Sequence, residues 1–222
     1  MTDVYIMGLS YTNSTPHPDR SPVWKNLSAT LENFKGPSRL EVRTGYFGIC
    51  VRQRGVIWLC SSNADGLIEQ IGSENDPLNL IGTSAKFKND VLFSGLFLMA
   101  IILSFLSAVL CTTFPGWNSE RNRDTGSEID VKPFPSRPVS QIALVFSFVA
   151  AMLCLIAALW QHVGAVGAAA MAETANYGNV KAVIGAGAMA MGWAGFSVLM
   201  LAAIGLFVMI LSIVVMDQLM DE

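Results

Sequence analysis

Cys50 and Cys60 stand ten positions apart, in Gly45-Tyr46-Phe47-Gly48-Ile49-Cys50-Val51 and Trp58-Leu59-Cys60-Ser61. Two cysteines at that spacing can be oxidised to a disulfide across a tight β-hairpin. With Arg54-Gly55 at the turn, pairing residues whose numbers sum to 110 sets Cys50 opposite Cys60, Val51 opposite Leu59 and Gln53 opposite Ile57. Strand side chains alternate, so Phe47, Ile49, Val51, Ile57 and Leu59 then share one face. Arg52 and Trp58 oppose each other on the cysteine face. A slip of one residue would lose both the bond and the apolar face. The competing reading is two free cysteines packed as small hydrophobes.

Other reactive residue types form no constellation. His17 lies in a Pro-rich stretch and His162 at the edge of an apolar one, neither in a cluster with metal-ligand spacing. No P-loop, dinucleotide fingerprint or nucleophile elbow occurs, so no catalytic residue, cofactor or metal is expected. Asn63, Asp65, Glu69, Glu74 and Asp76 lack the fixed spacing of a calcium loop and read as a solvated acidic face. Asn13-Ser14-Thr15 and Asn26-Leu27-Ser28 are glycosylation sequons, the first followed by Pro16.

The elements that must hold the hairpin are unusual for a soluble protein. Of 222 residues, 52% are hydrophobic and 14% charged, which is too apolar for an ordinary soluble domain. Residues 1–90 carry 18 of the 31 charges, whereas Val91–Phe114, Ile142–Trp160 and Trp193–Met216 read as membrane spans, each near the ~20 apolar residues a crossing takes. Trp117, Trp160 and Trp193 sit near their ends, as interfacial anchors do. The net charge is −3 with no basic run, so nucleic-acid binding has no support.

Loop 115–140 carries Arg121, Arg123, Lys132 and Arg137, whereas 164–192 carries only Lys181. The positive-inside rule puts the first loop in the cytosol. The resulting plan is an outer β-rich domain at 1–90, a span at 91–114, a cytosolic loop at 115–140 and a span at 141–163. An outer loop with helix extensions at 164–192, a span at 193–216 and a cytosolic tail at 217–222 complete it. The cysteines then lie in an oxidising compartment, where a disulfide persists. Val4–Tyr11 reads as a strand with Leu40–Val51 as its candidate partner, and the Pro-rich stretch between them reads mostly as loop. The Gly/Ala-rich 164–192 stretch reads as two helix extensions broken at Asn176-Tyr177-Gly178-Asn179. Loop 115–140, with Pro133, Pro135 and Pro138, reads as a solvated linker.

Four stretches together carry a resemblance: Gly45-Tyr46-Phe47-Gly48-Ile49-Cys50-Val51, Trp58-Leu59-Cys60-Ser61, Asp76-Pro77-Leu78-Asn79-Leu80-Ile81 and Phe114-Pro115-Gly116-Trp117. In order and spacing the chain resembles the fungal mating-related calcium regulator and membrane-fusion family, within the claudin-like superfamily. The resemblance implies a mainly α membrane protein, a claudin-like helical bundle carrying a small disulfide-stapled β ectodomain. That family has four spans, the first ahead of the strand matching Val4–Tyr11, so a fourth N-terminal span is expected upstream of Met1. It further implies a multi-pass plasma-membrane protein supporting calcium influx and cell fusion in mating, with the lipid bilayer and other membrane proteins or its own copies as partners. Two other functions stand beside it. The chain could line an ion path, which spans without Asp, Glu, Lys or Arg disfavour, or could organise membrane domains structurally.

Overall fold

The computed structural model describes residues 4–12, 21–53, 57–115, 118–121, 128–131 and 135–220. The Arg54-Gly55 turn, Asn13, His17, Gly116 and Trp117 lie outside them. The described chain divides into two compact units, one of Met1–Ser94 with Ala157–Gly192, the other of Gly95–Ile156 with Trp193–Glu222.

The first unit is built on a five-stranded antiparallel sheet of order β4-β3-β2-β1-β7. Its strands are β1 (Met7–Tyr11), β2 (Leu40–Thr44), β3 (Ile49–Gln53), β4 (Trp58–Ser61) and β7 (Val180–Ile184). The β3–β4 register sets Cys50 opposite Cys60, Val51 opposite Leu59 and Arg52 opposite Trp58, the pairing the numbering rule gives. The inner face presents Met7, Leu9, Val42, Ile49 and Val51, all buried. They pack with Leu67, Leu80, Ile81, Phe87, Ala165 and Ala172 into one core, drawn from α2 (Ala64–Ile71), α3 (Leu80–Asp90) and the C-terminal part of α5 (Arg137–Ala175).

The structure corrects the sequence reading at several points. Leu40–Val51 is two strands separated by a turn at 45–48, closed by the Gly45 N–H donating to Gly48 O at 3.0 Å. Phe47 and Ile57 do not share the core face with Ile49 and Val51. They lie beyond the strand ends, 73% and 78% exposed, where the alternation rule no longer applies. The stretch read as loop contains helix α1 (Pro22–Lys35). Ser21 accepts from the Trp24 N–H at 3.3 Å, and Pro22 occupies a first-turn position that needs no N–H. Pro22 therefore marks where the helix starts instead of breaking it.

The break at 176–179 is present, but a strand follows it where helix was expected. β7 pairs along β1, Met7 with Ile184 through Tyr11 with Val180. Gly185 ends it because a Cβ there would stand 1.7 Å from Tyr5 O, while its N–H donates to Ile6 O at 2.9 Å. Helix α1 docks on the 176–179 turn. Ser28 Oγ donates to Tyr177 O, and Asn179 Nδ2 donates to Ser28 O, both at 2.9 Å.

The second unit holds α4 (Gly95–Thr112), the N-terminal part of α5 and most of α6 (Ala186–Met220). Segments Gly95–Thr112, Arg137–Ala175 and Ala186–Met216 are long and apolar enough to cross a membrane. Helix begins at Gly95 instead of Val91, and α5 and α6 overrun the spans drawn at 141–163 and 193–216. Ser107 Oγ donates to Ala143 O at 3.0 Å and lies 2.7 Å from Ser147 Oγ, a buried polar clasp between α4 and α5. Within 115–140, read as linker, β5 (Asn118–Arg121) and β6 (Glu128–Val131) form a two-stranded antiparallel ladder.

Candidate functional site

The outer face of the sheet carries a cluster of charged and aromatic side chains. Residues two apart on each strand share a face, so Gly8, Glu41, Arg43, Cys50, Arg52, Trp58 and Cys60 all point away from the core. The Cys50–Cys60 disulfide forms at a Cα separation of 4.0 Å, with Cys50 buried and Cys60 exposed. Beside it the Arg43 guanidinium lies 4.7 Å from the Tyr5 ring centroid and 4.5 Å from that of Trp58. Arg52 sits 4.8 Å from the Trp58 centroid. Glu41 accepts from both arginines, from Arg43 at 2.9 Å. Gly8 makes room for this stack, since a Cβ there would meet the Tyr5 ring at 3.2 Å. Planar guanidinium groups stacked on rings and forked onto one carboxylate give a preorganised surface. A cavity of about 790 Å³ opens at one end of this face, beside Ser10, Lys35, Arg39 and Arg52.

Asp76-Pro77-Leu78-Asn79 forms a capped turn that locks α3 to the sheet. Asp76 is 8% exposed, not part of a solvated acidic face. One of its carboxylate oxygens accepts from the Tyr11 hydroxyl at 2.6 Å and the Leu80 N–H at 2.8 Å, and the other from the Ile81 N–H at 2.9 Å. A carboxylate at a helix N-terminus satisfies orphan donors and the helix dipole together. Tyr11 in turn accepts from the Leu78 N–H at 3.0 Å. Burial, then the bond to Asp76 and its charge, hold the Tyr11 hydroxyl protonated well above the ordinary tyrosine range. Asn79 adopts a left-handed φ of 53° and accepts from the Gly82 N–H at 3.1 Å; asparagine tolerates that conformation. Leu78 packs against the core, and Pro77 is half-buried beside it. Asn63, Asp65, Glu69 and Glu74 stay exposed. Among the described residues no three His, Cys, Asp or Glu side chains converge to hold a metal ion.

The remaining motif residues fall in two places. Tyr46, half-buried in the 45–48 turn, donates its hydroxyl to Gln161 Oε1 on α5 at 3.0 Å, and burial pushes its pKa up to about 12. Gly48 is required there, because a Cβ would stand 2.9 Å from Ser61 O. Phe114 and Pro115 follow α4, half-buried, with the Phe114 N–H donating to Cys111 O at 3.2 Å. Asn26 is exposed on α1, with its sequon's Ser28 buried beneath.

Sequence reasoning missed Tyr5, Tyr11, Glu41, Arg43 and Gln161. Only Glu41 and Arg43 carried a signal, as alternate charges in a strand whose intervening residues are apolar.

These motifs coincide with a comparison across known families. A family model described as Ca2+ regulator and membrane fusion protein Fig1 matches residues 27–212, most of the 222-residue chain. The chain belongs to that family. The match takes in the stapled hairpin, the capped turn, all three long helices up to residue 212 and the closing strand β7. The family's name ties its members to calcium regulation and membrane fusion. A comparison with individually curated proteins found no match.

Proposed function

We propose that this chain is a claudin-like, multi-pass plasma-membrane protein that supports calcium influx and membrane fusion when fungal cells mate. It acts as a contact protein without a catalytic step, cofactor or metal of its own. The observation that carries this reading is the pairing of β1 with β7. Those strands lie on either side of α4 and α5 in the chain. Two crossings return the chain to its starting side, so a sheet using both strands is compatible with a bundle spanning the bilayer. The charge bias of loop 115–140 favours the sheet side as the exterior, where a disulfide persists and the sequons at Asn13 and Asn26 would meet the glycosylation machinery.

The outer sheet face with Arg43, Trp58 and Arg52 serves as the contact surface for a membrane-protein partner or a second copy. Calcium regulation then works through that partner, since Asp76 spends its carboxylate inside the fold. The test is a cell–cell fusion assay with Arg43→Glu, scored alongside surface expression. Fusion should fall while expression holds; unchanged fusion would remove the face from the mechanism. Purified chain in liposomes should pass no calcium alone. Flux there would instead make this chain the ion path.

A further inference from the structure

The 45–48 turn exposes a phenylalanine that its own fold does not use. Phe47 is 73% exposed, yet the turn around it is held firmly. The Gly45–Gly48 backbone bond closes it, Gly48 packs against Ser61 O, and Tyr46 is bonded to Gln161 on α5. Next to Gln161 stands Trp160, 57% exposed, whose indole N–H donates to Val91 O at 2.8 Å. Val91 fits because residue 164 is glycine; a Cβ there would stand 2.5 Å from Val91 Cγ1. Phe93, two residues on, is 63% exposed, and Val163 68%. Two side-chain bonds thus tie the segments that carry Phe47 and Phe93 to the stretch of α5 that carries Trp160 and Val163.

We infer that these residues form a lipid-contacting element, with Phe47 lying in the interfacial layer of the leaflet beside the ectodomain. The occupant follows from the chain itself. Phe93 stands two residues before Gly95, where α4 begins, and Trp160 is the last residue of α5 before the polar pair Gln161-His162. In the chain, Phe93 and Trp160 thus stand next to the two segments read as spans. The amphipathic ring of Trp favours this depth, and Phe beside it is what apolar faces lying in the interface carry. Asp90 and His162, both exposed and adjacent, keep the level at the headgroups and above the hydrocarbon. Ile57 offers a contrast. It is as apolar and as exposed, but it follows the far end of β3.

The inference rests on the reading of the long helices as membrane spans, and its test separates the two. Cys111→Ser and Cys154→Ala leave no free thiol, so a nitroxide can be placed singly through Phe47→Cys, Ile57→Cys or Leu201→Cys, the last on the exposed side of α6. In nanodiscs, the ratio of relaxation by oxygen to relaxation by an aqueous nickel chelate should be highest at 201, intermediate at 47 and lowest at 57. If 47 behaves like 57 while 201 stays lipid-like, the inference is wrong and the spans stand. If 201 behaves like 57, both readings fall. Low access to both reagents at 47 means that protein covers the turn, which also overturns the inference. Should the cysteine-free background not fold, benzoylphenylalanine at position 47 of the native chain decides the same question, by photocrosslinking to lipid against crosslinking to protein.

Discussion

In the sheet unit the large buried side chains include Ile6, Met7, Leu9, Val42, Ile49, Val51, Leu80 and Ile81, beside the small Ala157, Ala158, Ala165, Ala169 and Ala172 of α5; in the helical unit the buried positions are mostly small, Ala100, Ser107, Ala143, Ser147, Ala150, Ala151, Cys154 and Ala203. The large side chains of the helical unit, such as Leu98, Ile101, Phe105, Leu201 and Phe207, point outward. Water drives large apolar groups inward. Lipid would offer no such drive, and helices within it associate through small residues that let backbones approach and through hydrogen bonds of the kind the Ser107 clasp makes. One chain thus obeys two packing rules, and the change from one to the other occurs within single helices, α5 and α6.

That contrast can be attacked from either side. The largest effect is expected for Asp76→Ala, which strands the Tyr11 hydroxyl and the Leu80 and Ile81 N–H groups. Each buried orphan costs ~1–3 kcal/mol, so a loss of about 3–5 kcal/mol is expected. Hydrogen exchange should accelerate in β1 and α3 and stay unchanged in α4; a loss below about 1 kcal/mol would show that the turn is held by packing alone. Next comes Cys50→Ser with Cys60→Ser, expected to cost about 2–3 kcal/mol for so short a loop. Thermal unfolding should show the sheet unit melting earlier with helicity retained, and equal loss in both units would deny them separate stability.

Ser107→Ala tests the other unit, with an expected cost of about 1 kcal/mol. Amides of α4 and α5 should exchange faster while the sheet is unaffected. The smallest effect concerns Tyr46, whose folded pKa is raised from 10.0 to about 12. A raised folded pKa means that the folded state holds the proton more tightly. The contribution is complete below pH 10 and is lost as pH climbs through 12. Unfolding titrations of Tyr46→Phe and the parent should therefore converge over that window, and parallel curves would remove Tyr46 from the balance.

What could be read from residues alone follows the same division. The hairpin register was legible because alternation, the cysteine spacing and the turn all require one answer. The three apolar runs were legible because an uncharged helix of that length has few alternatives. Helix α1 was obscured by its prolines, which punctuate a loop or open a helix equally well. Strand β7 was obscured because what makes Val180–Ile184 a strand is a partner some 170 residues earlier, beyond any local window. Asp76 read as a surface acid because composition does not reveal burial; only Tyr11, brought across from β1, shows its role.

The distance between β1 and β7 also sets a schedule. At ribosomal rates of ~5–20 residues per second, the stretch separating Tyr11 from Val180 takes on the order of 10–30 s to synthesise. Throughout that interval β1 has an unpaired edge, and α1 lacks the Tyr177 and Asn179 it docks on. The sheet unit therefore cannot finish folding until its closing strand arrives, after α4 and α5 have been made. A ribosome stalled before residue 180 would leave an open strand, the kind of edge that invites pairing with a neighbouring chain.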